Sequence, residues 1–304
     1  MTGSPAHPAT GAEELLAAVP EIASVASLEV EDLSNVPGAH LAPAAAARAV
    51  AAAAAGVEAG AAGAVITQGT DTIEETSELA NLVWPHDAPL VITGAIRTGG
   101  AVSADGPLNL LDAIRVASAP AARGVGPVVV FEGVVHPAAE AVKSHSWRSD
   151  AFSSEAPLGY VREGEFRPLR QVHRAPVASQ VEVASLALDT YVPIVAAAAG
   201  MDSRPLDALR EDGAAAIVLI SLGAGHVPET MLDGIDRMLA TGLPVVVCAR
   251  PERGGTLERT YGFVGSETDL AERGAILAGS ASPWKARIRV LVALGLGRDA
   301  AAFY

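Results

Sequence analysis

The sequence predicts an α/β protein built on a parallel sheet, followed in the chain by a second, smaller α/β domain. Three observations carry this. Short apolar runs at 64–66, 89–95 and 127–131 alternate with helical stretches, the order of a parallel sheet with right-handed crossovers. The period loosens across 152–185, where Arg, Gly and Pro interrupt every run, which reads as peripheral strands and a linker. It resumes with apolar runs at 191–199, 215–221 and 243–249, separated again by helical patterns. The expected division is a large domain over 1–185 and a smaller one over 190–304, with 171–190 as the linker region.

Taken in order, residues 1–11 are Gly, Pro, Ala and Thr without a period and read as a frayed start. A short helix is expected over 13–19, and 28–33 alternates as a strand. Residues 34–40 are turn formers, and 43–57 is an Ala-rich helix. The run 64–66, Ala-Val-Ile, reads as a buried parallel strand. Gly69 then turns the chain, and Thr72 to Glu75 has the spacing of a capping box opening a helix that runs to about Val83. Thr70 and Asp71 are thereby placed between the carboxyl end of a strand and the positive end of a helix. Open α/β sheets bind ligands at such places. Thr and Asp before a helix are also ordinary caps, so the pair gains meaning only from the company it keeps. Asp105 reads as the cap of the next helix, with Pro107 in its first turn. In the second half, helices are expected near 205–211, 229–241 and 283–296.

Half of the 304 residues are hydrophobic, which excludes a disordered chain. A net charge of -14 argues against nucleic acid or an anionic membrane as the partner, though not against a small zwitterionic substrate. Cys248 is the single cysteine, so no disulfide within the chain and no cysteine metal cluster is expected. Its apolar setting marks it as a small core residue. No run is long and apolar enough for a membrane span, and the N-terminus as written has no signal-peptide pattern, so the expectation is a cytoplasmic protein. His136 and His145 lack ligand spacing, and no metal is assigned. Gly223-Ala-Gly225-His226 lacks the third glycine of a dinucleotide loop, and Pro228 follows, so no nucleotide is assigned either. Lys143 lies in a polar patch and is ordinarily a solvated charge. Burial beside Thr70 would disfavour its ammonium form, and a neutral amine can take a hydroxyl proton. Glu267 on its own reads as a surface acid.

Four blocks, read together, say more. They are Ile-Thr-Gln-Gly-Thr-Asp-Thr-Ile-Glu-Glu-Thr at 66–76, Thr-Gly-Ala-Ile-Arg at 93–97, Ser-Ala-Asp-Gly-Pro-Leu-Asn-Leu at 103–110 and Lys-Ser-His-Ser at 143–146. In order and spacing they resemble the bacterial L-asparaginase/glutaminase family. The likeness runs on through 261–263 and 282–287 and covers nearly the whole chain. The resemblance implies a flavodoxin-like large domain, a small C-terminal domain and a homodimer or homotetramer with shared active sites. It implies hydrolysis of the side-chain amide of asparagine, sometimes glutamine, through a threonine acyl-enzyme and without a cofactor. By matching position, Thr70, Asp71 and Lys143 would be the catalytic group. Gly38, Ala39, Gly69 and Ala95 would meet the substrate, the first two through backbone N–H groups. Glu267 and His226 would reach a neighbouring subunit's substrate, His226 standing where many members carry asparagine.

The departures are equally specific. Members open with an apolar strand ending in Thr-Gly-Gly-Thr, whose last Thr is usually given the nucleophile role, and then a loop bearing a tyrosine. Neither appears here: Thr10 has no apolar strand before it and cannot take that role, and the first tyrosine is Tyr160. Gln68 also stands where many members have His. The expectation is a reading frame that begins late, leaving the first strand missing, turnover weak or absent and an edge strand unpaired. A non-catalytic relative that binds an amino acid or serves in assembly is the alternative reading.

Overall fold

The computed structural model describes residues 11–171 and 183–304. The expectations for 1–10 and for most of the linker lie outside the described residues. The chain divides into two compact units, Met1–Ser185 and Leu186–Tyr304.

In the first unit, α1 (Ala12–Ala17) and a 3-10 turn, Pro20–Ser24, precede α2, Pro43–Glu58. Alanine loses no side-chain entropy in a helix, and Pro43 sits at the N-terminus, where its missing N–H costs nothing. Strand β1 (Ala64–Thr67) is followed by α3 (Ile73–Val83), β2 (Leu90–Thr93), α4 (Gly106–Ser118) and β3 (Pro127–Phe131). The three strands pair in parallel, as the alternation of strand and helix requires. The sheet then extends antiparallel through β4 (Val134–Pro137), turning at Glu132 and Gly133, both with positive φ. β5 (Val142–Lys143) and β6 (Phe152–Ser153) form a separate two-stranded ribbon. β7 (Gly159–Arg162) and β8 (Glu165–Pro168) complete the six-stranded order β1-β2-β3-β4-β7-β8. Val91, Val128, Val130, Ala113 and Val116 bury one face of this sheet under α4.

Two expectations need correction. Residues 28–33 form no strand: Leu28, Val30 and Leu33 are exposed, and so are the acids between them. Alternation makes a chain extended, but a strand also needs a neighbour to bond, and this stretch has none in the sheet. β1 is half-buried rather than buried, because it is the sheet's edge and no strand flanks its outer side among the described residues.

The second unit is a wholly parallel sheet of order β12-β11-β10-β9. Its elements run β9 (Ile194–Ala196), α5 (Arg204–Glu211), β10 (Ile217–Ser221), α6 (Leu232–Ala240), β11 (Val245–Ala249), α7 (Glu267–Arg273), β12 (Ile276–Leu277) and α8 (Pro283–Gly295). Ile217, Leu219, Val245 and Val247 pack with Leu206, Ile235, Met238 and Leu270. Alternate residues, Val218, Val246 and Cys248, point the other way. Cys248 is fully buried, and burial pushes its thiol from 9.0 up to about 12. Among the described residues no helix is long and apolar enough to cross a membrane, and no cluster of three or more metal-ligating side chains occurs.

Candidate active site

The chain leaves β1 at Thr67, and a 3-10 turn over Thr70–Thr72 leads into α3. No capping box forms. Thr72 carries no capping bond, because its hydroxyl donates instead to the Gly38 carbonyl at 3.1 Å. That bond ties the turn to the 3-10 segment Gly38–His40, which carries the predicted Gly38 and Ala39. Gly38 and Gly69 meet backbone to backbone, since a Cβ on Gly69 would stand 2.6 Å from the Gly38 nitrogen. Gly94 closes the third side, where a Cβ would come within 2.3 Å of the Gln68 carbonyl oxygen. Three glycines thus pack the loops tightly enough to sink Thr70, while Asp71 keeps 60% of its side chain exposed.

Lys143 arrives from β5. Its Nζ donates to Thr70 Oγ1 at 2.9 Å and to Asp71 Oδ1 at 2.8 Å. The lysine side chain is 17% exposed, so a hydroxyl, an amine and a carboxylate meet at the protein surface with only the carboxylate well solvated. Below, Phe152 pairs with Lys143 across the ribbon and stacks on Phe131 with ring centroids 4.4 Å apart. Lys143 is one of only two lysines in the chain. Arginine, the usual base here, cannot release its proton, whereas an amine can.

The turn that carries Ala95 is held from beneath. Asp105 does not cap α4; its carboxylate accepts from the N–H groups of Ile96 at 2.9 Å and Arg97 at 2.8 Å. Asn109 donates to the Gly94 carbonyl and to Asp105, and its Oδ1 accepts from the Glu132 N–H at 3.0 Å. Both side chains are buried. Sequence reasoning named Asp105 only as a cap and left Asn109 without a role. Their spacing of four on one helix face was the available signal.

Glu267 and His226 lie together in the second unit. Glu267 is fully buried, not a surface acid, because the 260–267 loop folds over it. Its Oε1 accepts from the Thr260 and Tyr261 N–H groups at 2.8 and 2.7 Å, and Oε2 lies 3.2 Å from His226 Nε2. Burial alone would push this carboxyl up; the backbone donors of Tyr261 and Thr260, helped by His226, hold it below the ordinary range. Tyr261 and Phe263 pack edge-on against the imidazole, with centroids 4.8 and 5.0 Å away. The glycine loop at 223–225 serves this packing: Gly225 has φ +125, and a Cβ there would lie 3.0 Å from that of Glu267.

The structure therefore brings Thr70, Asp71 and Lys143 into one hydrogen-bonded group, sets Gly38 and Gly69 against it, and pairs His226 with Glu267. A hydroxyl bonded to an amine, with a carboxylate orienting that amine, is the equipment of a hydrolase that works through its own side chains. Comparison with known proteins agrees in both units. Residues 1–174 match the family domain described as Asparaginase, N-terminal, and residues 191–303 match the Glutaminase/Asparaginase C-terminal domain. The chain belongs to the asparaginase/glutaminase family. It is 38% identical over 237 residues to the "Probable L-asparaginase" of Deinococcus radiodurans, covering 77% of this chain and 71% of that protein. It is 31% identical over 292 residues to "L-asparaginase 2" of Bacillus subtilis, covering 95% and 76%. Among solved structures, the "Probable Cytoplasmic L-asparaginase" from Campylobacter jejuni superposes with a TM-score of 0.87 at 31% identity, covering 96% of this chain and 92% of that one.

Proposed function

We propose that this protein hydrolyses the side-chain amide of L-asparagine, with L-glutamine the second substrate to test, releasing ammonia. The observation that carries the reading is the contact of Lys143 Nζ with both Thr70 Oγ1 and Asp71 Oδ1, in a chain of this family. In the neutral form, Lys143 accepts the Thr70 proton as Oγ1 attacks the amide carbon. The C–N bond breaks, the proton passes from Lys143 to the departing nitrogen, and an ester to Thr70 remains. Water then adds to that ester with Lys143 again the base, returning the proton to Thr70 and releasing aspartate. Asp71 orients the amine and receives the substrate's ammonium group. The backbone N–H groups at Gly38, Ala39 and Gly69 hold its carboxylate, and the Ala95 carbonyl takes the amide N–H.

Family resemblance supports a homodimer or homotetramer in which Glu267 and His226 serve a neighbouring subunit's substrate. It also supports action without a cofactor, and the relative from Campylobacter supports a cytoplasmic setting. The named relatives lend nothing to a non-catalytic reading. Ammonia release from asparagine by the purified chain tests the proposal; failure at high enzyme concentration, with aspartate still bound in calorimetry, overturns it.

A further inference from the structure

β5 is two residues long and belongs to a ribbon outside the six-stranded sheet, so the ladder that normally fixes a strand contributes little to placing Lys143. Just past β5, Ser144 donates its N–H to the carbonyl of Ala151, the residue before β6, at 2.8 Å. In an antiparallel ribbon neighbouring residues alternate, so the Lys143 N–H points away from β6. There it meets Glu74, whose Oε1 accepts it at 3.0 Å across 69 positions of sequence. Glu74 is buried and stands in the first turn of α3, one turn beyond Thr70 and Asp71. We propose that Glu74 is a positioning residue: it anchors the backbone of Lys143 to the helix whose entry carries Thr70 and Asp71, fixing the amine against both.

The reasoning is one of shared reference. Thr70 and Asp71 take their places from the turn before α3, and the lysine comes from a ribbon that is held to the sheet by the Phe152–Phe131 stack and not by ladder bonds. The side-chain bond from α3 to the lysine's own N–H ties the two directly, at the residue that carries the amine. It also satisfies a partly buried amide that would otherwise face no acceptor. A displacement of about 1 Å in such a group costs about 100-fold in rate.

Two substitutions separate this bond from the charge that makes it. Glu74→Gln keeps an acceptor oxygen at the same reach and removes the charge. Glu74→Asp keeps the charge and withdraws the oxygen by one methylene. The proposal rests on Lys143 acting as the base, so a readout independent of turnover is needed. Acetylation by acetic anhydride supplies it, read at Lys143 itself by mass spectrometry of its peptide so that the α-amino group does not count; the other lysine, Lys285, is 1% exposed. In Glu74→Asp, Lys143 should acetylate about tenfold faster as the amine leaves its contacts with Thr70 and Asp71 and opens to the reagent, and kcat should fall about 100-fold with KM nearly unchanged. Glu74→Gln should stay within about threefold of the unaltered protein on both measures.

Unaltered acetylation in Glu74→Asp overturns the proposal whatever the activity, and so does equal damage from Glu74→Gln. If the unaltered protein releases no ammonia, the assignment of Lys143 as base falls, while the acetylation rates still decide this one. Should Glu74→Asp not fold, hydrogen exchange at the Lys143 amide of the unaltered protein decides. Protection comparable to the amides of β3 supports the anchor, and exchange at the rate of an open loop overturns it.

Discussion

Gly38 and Gly69 touch through their backbones, 31 positions apart in the chain, and neither has room for a single added carbon. A Cβ on Gly69 would sit 2.6 Å from the Gly38 nitrogen and 2.7 Å from its Cα. No flexible side chain is there to yield. Gly69→Ala should cost about 2 kcal/mol or more of stability and most of the activity, read as a lowered Tm and ammonia release. Gly56→Ala, in α2 with nothing near its Cβ, is the control and should be neutral or slightly stabilising.

Thr70 and Lys143 act as one unit in the proposed mechanism, so their losses should not add. Thr70→Ala and Lys143→Ala should each lower kcat by about 1,000-fold or more, and the double variant should be little worse. Steady-state ammonia release checks this. Independent, multiplying effects would show that Lys143 does not serve the Thr70 hydroxyl.

Removing the Asp105 carboxylate strands two half-buried N–H groups, those of Ile96 and Arg97. A half-buried donor left unpaired costs about 1 kcal/mol, the low end of the range for a buried one. Asp105→Ala should therefore lower Tm and raise KM by displacing Ala95. Asp105→Asn retains one good acceptor and should fall between. Thermal melts and a substrate titration measure both.

His136 gives stability a pH dependence. Burial depresses its imidazole from 6.5 to about 4, with Glu140 opposing weakly, and its Nδ1 lies 2.8 Å from Ser154 Oγ. Between those two values the unfolded chain binds a proton that the folded one does not. Stability from this group is thus complete above pH 6.5 and falls as pH drops towards 4, by about 3 kcal/mol in total. Denaturant melts at pH 7 and pH 4.5 should show the loss, and His136→Gln should flatten it.

Glu267 works in a lower window. Its carboxyl is held below the ordinary 4.5, so its contribution stands above that pH and fades as pH falls through the folded value. Glu267→Gln should leave the Thr260 and Tyr261 donors one good acceptor and remove the attraction to His226. The expected result is a modest loss of Tm together with a rise in KM for asparagine, measured by melts and by initial rates.

Much of this was legible in the sequence, for a physical reason. Runs such as 90–92 and 127–131 are apolar on both faces, and burial on both faces is what a parallel strand under helices demands. Residues 28–33 misled because alternation reports two unlike faces, not whether a neighbouring strand is present. β7 and β8 gave no signal beyond a loosened period, being short strands towards the end of the sheet where polar residues face solvent. Thr72 to Glu75 has the letters of a capping box, yet the Gly38 carbonyl, 34 positions earlier, claims the hydroxyl. Glu267 looked like an exposed acid because nothing in its own neighbourhood announces that backbone donors will enclose it. Both failures are of one kind: a long-range partner outbid the local one. The meeting of Lys143 with Thr70, 73 positions apart, was reached only through family resemblance, since no periodicity links them.

Cys248 has a practical consequence. It is the molecule's single sulfhydryl, buried in β11, where burial pushes the thiol up to about 12 and so disfavours the reactive thiolate. Maleimide and iodoacetamide reagents should therefore pass over the native chain. A cysteine introduced on an outer helix position, such as Ala55 in α2, would take a fluorophore or spin label cleanly, making distance and assembly measurements possible without first deleting a native thiol.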